Sequence, residues 1–232
     1  MVKDPLSIQP LKCLKSKPKN RNIVCVAQSR SGTGSICQLF AKLGVDSYHE
    51  IGAYPQQIYD RIKEVFAKNR PSFILDNVGS FYLFSRIENE FPDTRFFVLI
   101  RDPAACCNSQ RHTVRLINPR FTSDFNHYVD GWIMTHFNLC HHIEMMRNKP
   151  HLIEFEKYIK GEYNDILLNT YGIPDGEQIR SELSRHLSTK INTNDEYAMT
   201  DSINGKRYKF CMEIKDRLAE LCRDSWIKEI SQ

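Results

Sequence analysis

No run of about 18 apolar residues, the length a membrane span needs, occurs in this 232-residue chain. Its first residues also lack the apolar core of a secretory signal. The eight cysteines (Cys13, Cys25, Cys37, Cys106, Cys107, Cys140, Cys211 and Cys222) contain no C-x-x-C pair, so the common zinc and dithiol patterns are excluded. Adjacent Cys106 and Cys107 are badly placed to bridge each other. Internal repeats and low-complexity tracts are missing. The net charge is only +4, without a basic stripe, which argues against a nucleic-acid binder. Histidines at 136, 141 and 142 are not spaced four apart, so they form no helical metal pair, and no metal is implied. What is present is ordinary for a globular protein, 41% hydrophobic and 26% charged residues. The expectation is one cytoplasmic domain over 1–232, with reduced structural thiols, no membrane span, and an oligomeric state the sequence does not reveal. Lys12, Lys15, Lys17, Lys19 and Arg21 read as a solvated basic lead-in over 1–21.

The apolar run Ile23–Ala27 reads as a buried parallel strand. Ile36, Leu39, Phe40 and Leu43 then fall at helical spacing. Between them lies Ser29-Arg30-Ser31-Gly32-Thr33-Gly34-Ser35. A small polar turn between strand and helix holds anions, because the first helical N–H groups lack internal partners and the dipole favours negative charge. Arg30 adds a charge; Ser31, Thr33 and Ser35 add hydroxyls. A Walker loop needs Gly-Lys-Ser/Thr here, and it is missing. A dinucleotide fingerprint needs a third glycine, and that position is Cys37.

Arg95–Ile100 is a second buried strand. It runs into Arg101-Asp102-Pro103, with Ser109 eight residues after the arginine. The first turn resembles the [KR]-S-G-[TS]-x-[ST] element of sulfotransferases, and Arg101 with Ser109 resembles that family's later phosphate element. His151–Ile159 is similar to the strand-to-helix segment that follows. The resemblance spans about residues 22–172. It implies that Arg30, Ser31, Gly32, Thr33, Gly34 and Ser35 cradle the 5′-phosphosulfate of PAPS (3′-phosphoadenosine 5′-phosphosulfate). Arg101 and Ser109 then hold the 3′-phosphate, and PAP is the product. Two separated anion sites suit PAPS independently of the resemblance. Arginine is apt for each, since its planar fork makes parallel charge-assisted bonds.

Alternation of strands (23–28, 45–49, 73–76, 95–100, 151–155) and helices (34–43, 56–68, 80–91, 103–116, 123–147, 156–171) predicts a parallel sheet covered on both faces. With the resemblance, this becomes a three-layer α/β P-loop-like fold of about five strands with a helical C-terminal part. A helix near 207–222 is expected to bury Phe210, Ile214, Leu218 and Leu221. The resemblance implies a C-terminal lid within 190–232, in which the polar loop 192–206 folds over the nucleotide and Lys206 and Arg207 reach the 3′-phosphate.

Sulfuryl transfer to a hydroxyl or amine needs a base for the acceptor proton and cations at the leaving oxygen. Arg30 suits the second role. Glu50, at the end of a strand expected beside the turn, is the first candidate for the base; Asp76 is the second. The histidine that cytosolic members of the family use is missing, for the chain reads Asp76-Asn77-Val78-Gly79. Tyr54, Tyr59, Phe81, Tyr82, Phe121 and Phe125 are candidates to line a small-molecule, carbohydrate or lipid acceptor. Another nucleotide-dependent transferase or kinase on this fold, or a nucleotide-binding member without catalysis, is the alternative reading.

Overall fold

Five short apolar runs each become a strand because both of their faces are covered by helices. The computed structural model describes residues 5–14, 16–118, 120, 124–191 and 202–230. Strands β1 (Asn22–Ala27), β2 (Asp46–His49), β3 (Ser72–Asn77), β4 (Arg95–Ile100) and β5 (His151–Glu154) form one sheet in the order β2-β3-β1-β4-β5. All pairs are parallel. Strand β1 is therefore central. The chain leaves it for β3 and β2 on one side and for β4 and β5 on the other. That reversal opens a crevice at the carboxyl edge, where ligands of open α/β sheets bind.

Two apolar layers sandwich the sheet. On one face, Ile23, Cys25 and Ala27 of β1 pack with helices α1 (Thr33–Lys42), α6 (Phe155–Tyr158), α7 (Asn164–Thr170) and α8 (Glu177–Ile191). On the other, Val24 and Val26 pack with α2 (Pro55–Phe66), α3 (Phe84–Glu90), α4 (Pro103–Ile117), α5 (Phe125–Met145) and α9 (Gly205–Ile230). The alternation follows from the two-residue period of a strand. The three-layer α/β architecture expected from the sequence is thus the one observed.

Several local readings change. The helix expected over 156–171 is two short helices, broken at Gly161, whose φ is +77°. The segment expected as a helix from 80 starts as a 3-10 turn, Val78–Leu83. On α9 the buried face is Cys211, Ile214, Leu218 and Cys222, while Phe210 is 42% exposed. Ile214 and Leu218 are buried as expected and Leu221 is partly so, but Cys211 takes the place of Phe210 and Cys222 joins the face, because cysteine packs as a small hydrophobe. The lead-in is not merely solvated. Leu6 donates its N–H to Ser47 at 2.8 Å, Leu11 to Lys42 at 2.8 Å and Lys19 to Tyr171 at 2.7 Å. Leu6, Leu11 and Leu14 also pack on the α1 layer, so the segment shields the edge strand β2. No helix among the described residues is long and apolar enough to cross a membrane.

Candidate anion site at the carboxyl edge

The turn after β1 begins with a hydrogen bond from Ser31 N to Gln28 O, 3.1 Å. Arg30 sits in the left-handed region at φ 72° and Gly32 at φ 89°. Gly32 is the N-cap of α1 and offers no side chain to the helix end. The Ser35 N–H turns back onto Gly32 O at 3.1 Å, and the N–H groups of Thr33 and Gly34 are left to another acceptor. Above Gly34 lies open space, with no atom within 4 Å of where a Cβ would stand. Gly32 is the opposite case, because the Phe155 ring lies 2.2 Å from its would-be Cβ. An uncapped helix end, open space and adjacent cations fit a phosphate-type group.

The second element docks onto the first. Arg101 Nη1 donates to Arg30 O at 3.0 Å, and its guanidinium stands 5.0 Å from the centre of the Phe155 ring. Arg30 Nε donates to Ser109 Oγ at 3.1 Å. Ser109 is buried. Its oxygen accepts from Arg30, which leaves its O–H to donate elsewhere. Asp102 does not close on Arg101. It caps α4 by accepting from Ala105 N at 2.9 Å, and it accepts from the Tyr208 hydroxyl at 3.0 Å. The structure thus brings Arg30, Arg101 and Ser109 into one hydrogen-bonded group.

Helix α4 braces the turn through residues the sequence reading passed over. Gln110 Nε2 donates to Ser29 O at 3.0 Å, and Gln28 Nε2 to Gln110 Oε1 at 3.3 Å. Cys106 Sγ donates to Ser29 O at 3.4 Å and touches Ser31 Oγ at 3.6 Å. Burial pushes the Cys106 thiol up to about 11, with the Ser31 hydrogen bond working the other way, so it stays a neutral donor. From the other face, the Tyr158 hydroxyl meets Ser35 Oγ at 3.3 Å and His186 Nε2 meets Ser35 O at 3.3 Å. The only sequence signal for α4 was its i, i+3, i+4 spacing (Cys106, Ser109, Gln110), which does not reveal its target.

The two carboxylate candidates lie at the same edge but in different settings. Asp76 is buried on β3, opposite Val26 of β1. Glu50 is exposed, one residue past β2, with its N–H on Leu75 O at 2.9 Å and φ 53°. Strand β2, expected to emerge beside the turn, is separated from β1 by β3. At about 5 Å per strand, Glu50 starts roughly 10 Å from the β1 axis and Asp76 half that. Glu50 still bears on α1. The Cys37 thiol is pushed up to about 12 by burial, against a Ser47 hydrogen bond, with a further push from the Glu50 charge. Arg30, Glu50 and Asn69 are the positive-φ non-glycine residues among those described. Two of the three are site candidates, and such strain gathers at functional sites.

The first turn of α9 lies against this edge, through Tyr208 and Asp102. Arg207 Nη1 donates to Asn126 at 2.7 Å and its Nη2 pairs with Asp130 at 3.1 Å. Lys206 and Arg207, with Asn126 and Asn204, line a cavity of about 500 Å³. Most of the expected lid, 192–201, lies outside the described residues, as does Phe121. Among the acceptor-site aromatics, Tyr59, Phe81 and Phe125 are core residues, whereas Tyr54 and Tyr82 are exposed.

A central β1 with a glycine-containing turn, braced by a strand-Arg-Asp-Pro-helix unit, has the fold of solved sulfotransferases. The chain superposes on the crystal structure of mouse sulfotransferase SULT7A1 complexed with PAP, with a TM-score of 0.60 and 11% identity, over 92% of this chain and 90% of that one. A sulfotransferase from Alicyclobacillus acidocaldarius gives a TM-score of 0.48 at 14% identity, over 88% and 96% of the two chains. No family model and no curated protein matches the sequence.

Proposed function

We propose that this chain is a sulfotransferase that uses PAPS and sulfates a hydroxyl or amine of a small-molecule, carbohydrate or lipid acceptor. The observation that carries this reading is the junction of two anion elements, Arg30 on Ser109 at 3.1 Å and Arg101 on Arg30 O at 3.0 Å. PAPS is anionic at two separated points and supplies the sulfuryl group. The SULT7A1 structure was solved with PAP, which agrees with a bisphosphate nucleotide here.

The geometry supports the following roles. The open N-terminus of α1 and the turn from Arg30 to Ser35 receive the 5′ group. Arg101 and the Ser109 hydroxyl receive the 3′-phosphate, and Lys206 and Arg207 approach it from α9. Arg30 serves both ends, since its Nε is engaged by Ser109 and its Nη groups remain for the leaving oxygen. Glu50 takes the acceptor proton, because it is the carboxylate an incoming substrate can reach. Asp76 is the base if Glu50 is not.

The test is calorimetric binding of adenosine 3′,5′-bisphosphate. Wild type binds, and Arg101→Ala loses roughly 1.5–3 kcal/mol, about ten- to a hundredfold in affinity. Unchanged affinity in that variant sinks the site assignment. Binding without transfer of label from PAPS to any acceptor in a broad panel would mark a nucleotide-binding protein instead.

A further inference from the structure

One peptide plane in the turn stands against the preference of its own residue. The Gln28–Ser31 hydrogen bond, with φ 72° at Arg30 and no positive φ at Ser29, defines a type II β-turn, whose third residue is ordinarily glycine. A type I turn closes the same bond with Arg30 in the right-handed region. The two differ by a half-turn of the Ser29–Arg30 peptide. Arginine gains nothing from the left-handed form, so other groups must hold it.

Two donors on α4 do so. Gln110 Nε2 and Cys106 Sγ both point at Ser29 O, at 3.0 and 3.4 Å. In a planar trans peptide, C=O and N–H point opposite ways. Drawing the carbonyl onto α4 therefore turns the Arg30 N–H away from it. Among the described residues, no acceptor receives that N–H. The brace also has a cost of its own. Ser29 O can only accept, which fixes the Gln110 amide and through it the Gln28 amide. Gln28 Oε1 is then buried without a donor among the described residues, in a side chain 7% exposed. A strained φ and an orphaned acceptor at one turn are the mark of a site kept for function rather than stability.

We infer that Gln110 and Cys106 are positioning residues that hold the Ser29–Arg30 peptide flipped, so that the Arg30 N–H joins the first N–H groups of α1 as a donor to the bound anion. Only the identity of the anion rests on the sulfotransferase reading.

The experiment follows the Arg30 amide by NMR in the full ¹⁵N-labelled chain, titrated with inorganic sulfate and with adenosine 3′,5′-bisphosphate. In wild type the amide moves downfield and gains exchange protection with either probe. The Gln110→Met/Cys106→Ala double variant loses that response. Its affinity for the bisphosphate falls roughly tenfold, as expected for one lost donor to a charged group. Its melting temperature stays near wild type, because either turn keeps the Gln28–Ser31 bond. Cys106→Ser retains a donor and binds like wild type. A double variant with wild-type affinity and an intact Arg30 response overturns the inference. Should the double variant fail to fold, wild-type exchange decides, and an Arg30 amide already protected without anion overturns it. A wild type that responds to sulfate but not to the bisphosphate sinks the sulfotransferase reading and leaves this one standing. Response to neither overturns both.

Discussion

Gly32→Ala and Gly34→Ala are chemically identical changes two residues apart, and the structure separates them sharply. At Gly32 the new methyl meets two obstacles. The φ of +89° lies in the region an L residue enters at a cost of about 1–2 kcal/mol. The Phe155 ring carbons lie 2.2 and 2.3 Å from the new atom, so the ring must move. Its displacement also disturbs the Arg101 guanidinium stacked 5.0 Å above it, a contact worth about 0.5–2 kcal/mol. The sum is roughly 1.5–4 kcal/mol of stability, with weaker nucleotide binding through Arg101. At Gly34 nothing lies within 4 Å and the backbone is helical. Alanine there should raise stability by about 0.5–1 kcal/mol, yet crowd an anion on the turn. Urea denaturation reads the first quantity and calorimetry with adenosine 3′,5′-bisphosphate the second. Adding Phe155→Ala to Gly32→Ala should recover the steric part and leave about 1–2 kcal/mol of backbone strain, apart from the cost of losing the ring. If Gly32→Ala is as stable as wild type, the ring does not lie over the turn. If Gly34→Ala binds nucleotide normally, no anion sits there.

Further outcomes are expected at the carboxylates and histidines. Glu50→Gln should keep nucleotide affinity and lose about 10²–10⁴-fold in turnover, the range for a general base; turnover at wild-type rate would pass the role to Asp76. His136 and His151 are both held down to about 4 from the usual 6.5, His136 by burial and His151 by burial and then the Arg95 charge. A depressed folded value means the unfolded chain binds more protons between these limits. Their contribution is therefore complete above pH 6.5 and lost as pH falls towards 4. Each is worth up to about 3 kcal/mol, so the urea midpoint should fall steeply over this window. A profile that is flat from pH 7 to pH 4.5 in wild type would contradict the neutral, buried assignment. His136→Leu should flatten the slope by about half.

Much of the fold was legible because its cues are local. A strand covered on both faces must read as a continuous apolar run, and Ile23–Ala27 and Arg95–Ile100 do. The errors came where a short-range cue has two readings. Cys211 and Cys222 pack as core although their type suits surface or core, Gly161 at positive φ breaks a helix whose apolar period runs on, and the basic lead-in carries leucines that pack. The candidate site was legible as two separate stretches, Arg30–Ser35 and Arg101 with Ser109, and the structure joins them through Arg30.

The sequence alone carries the set of elements and the candidates for an anion site, because periodicity, glycine positions and arginine-hydroxyl spacing act within a few residues. How those groups meet is set by the tertiary packing. Strand order inserts β3 between Glu50 and the turn, and α4 aims Cys106, Ser109 and Gln110 at Gln28–Ser31 from about 80 residues away. Such contacts depend on how helices pack across a sheet, and no local pattern encodes that.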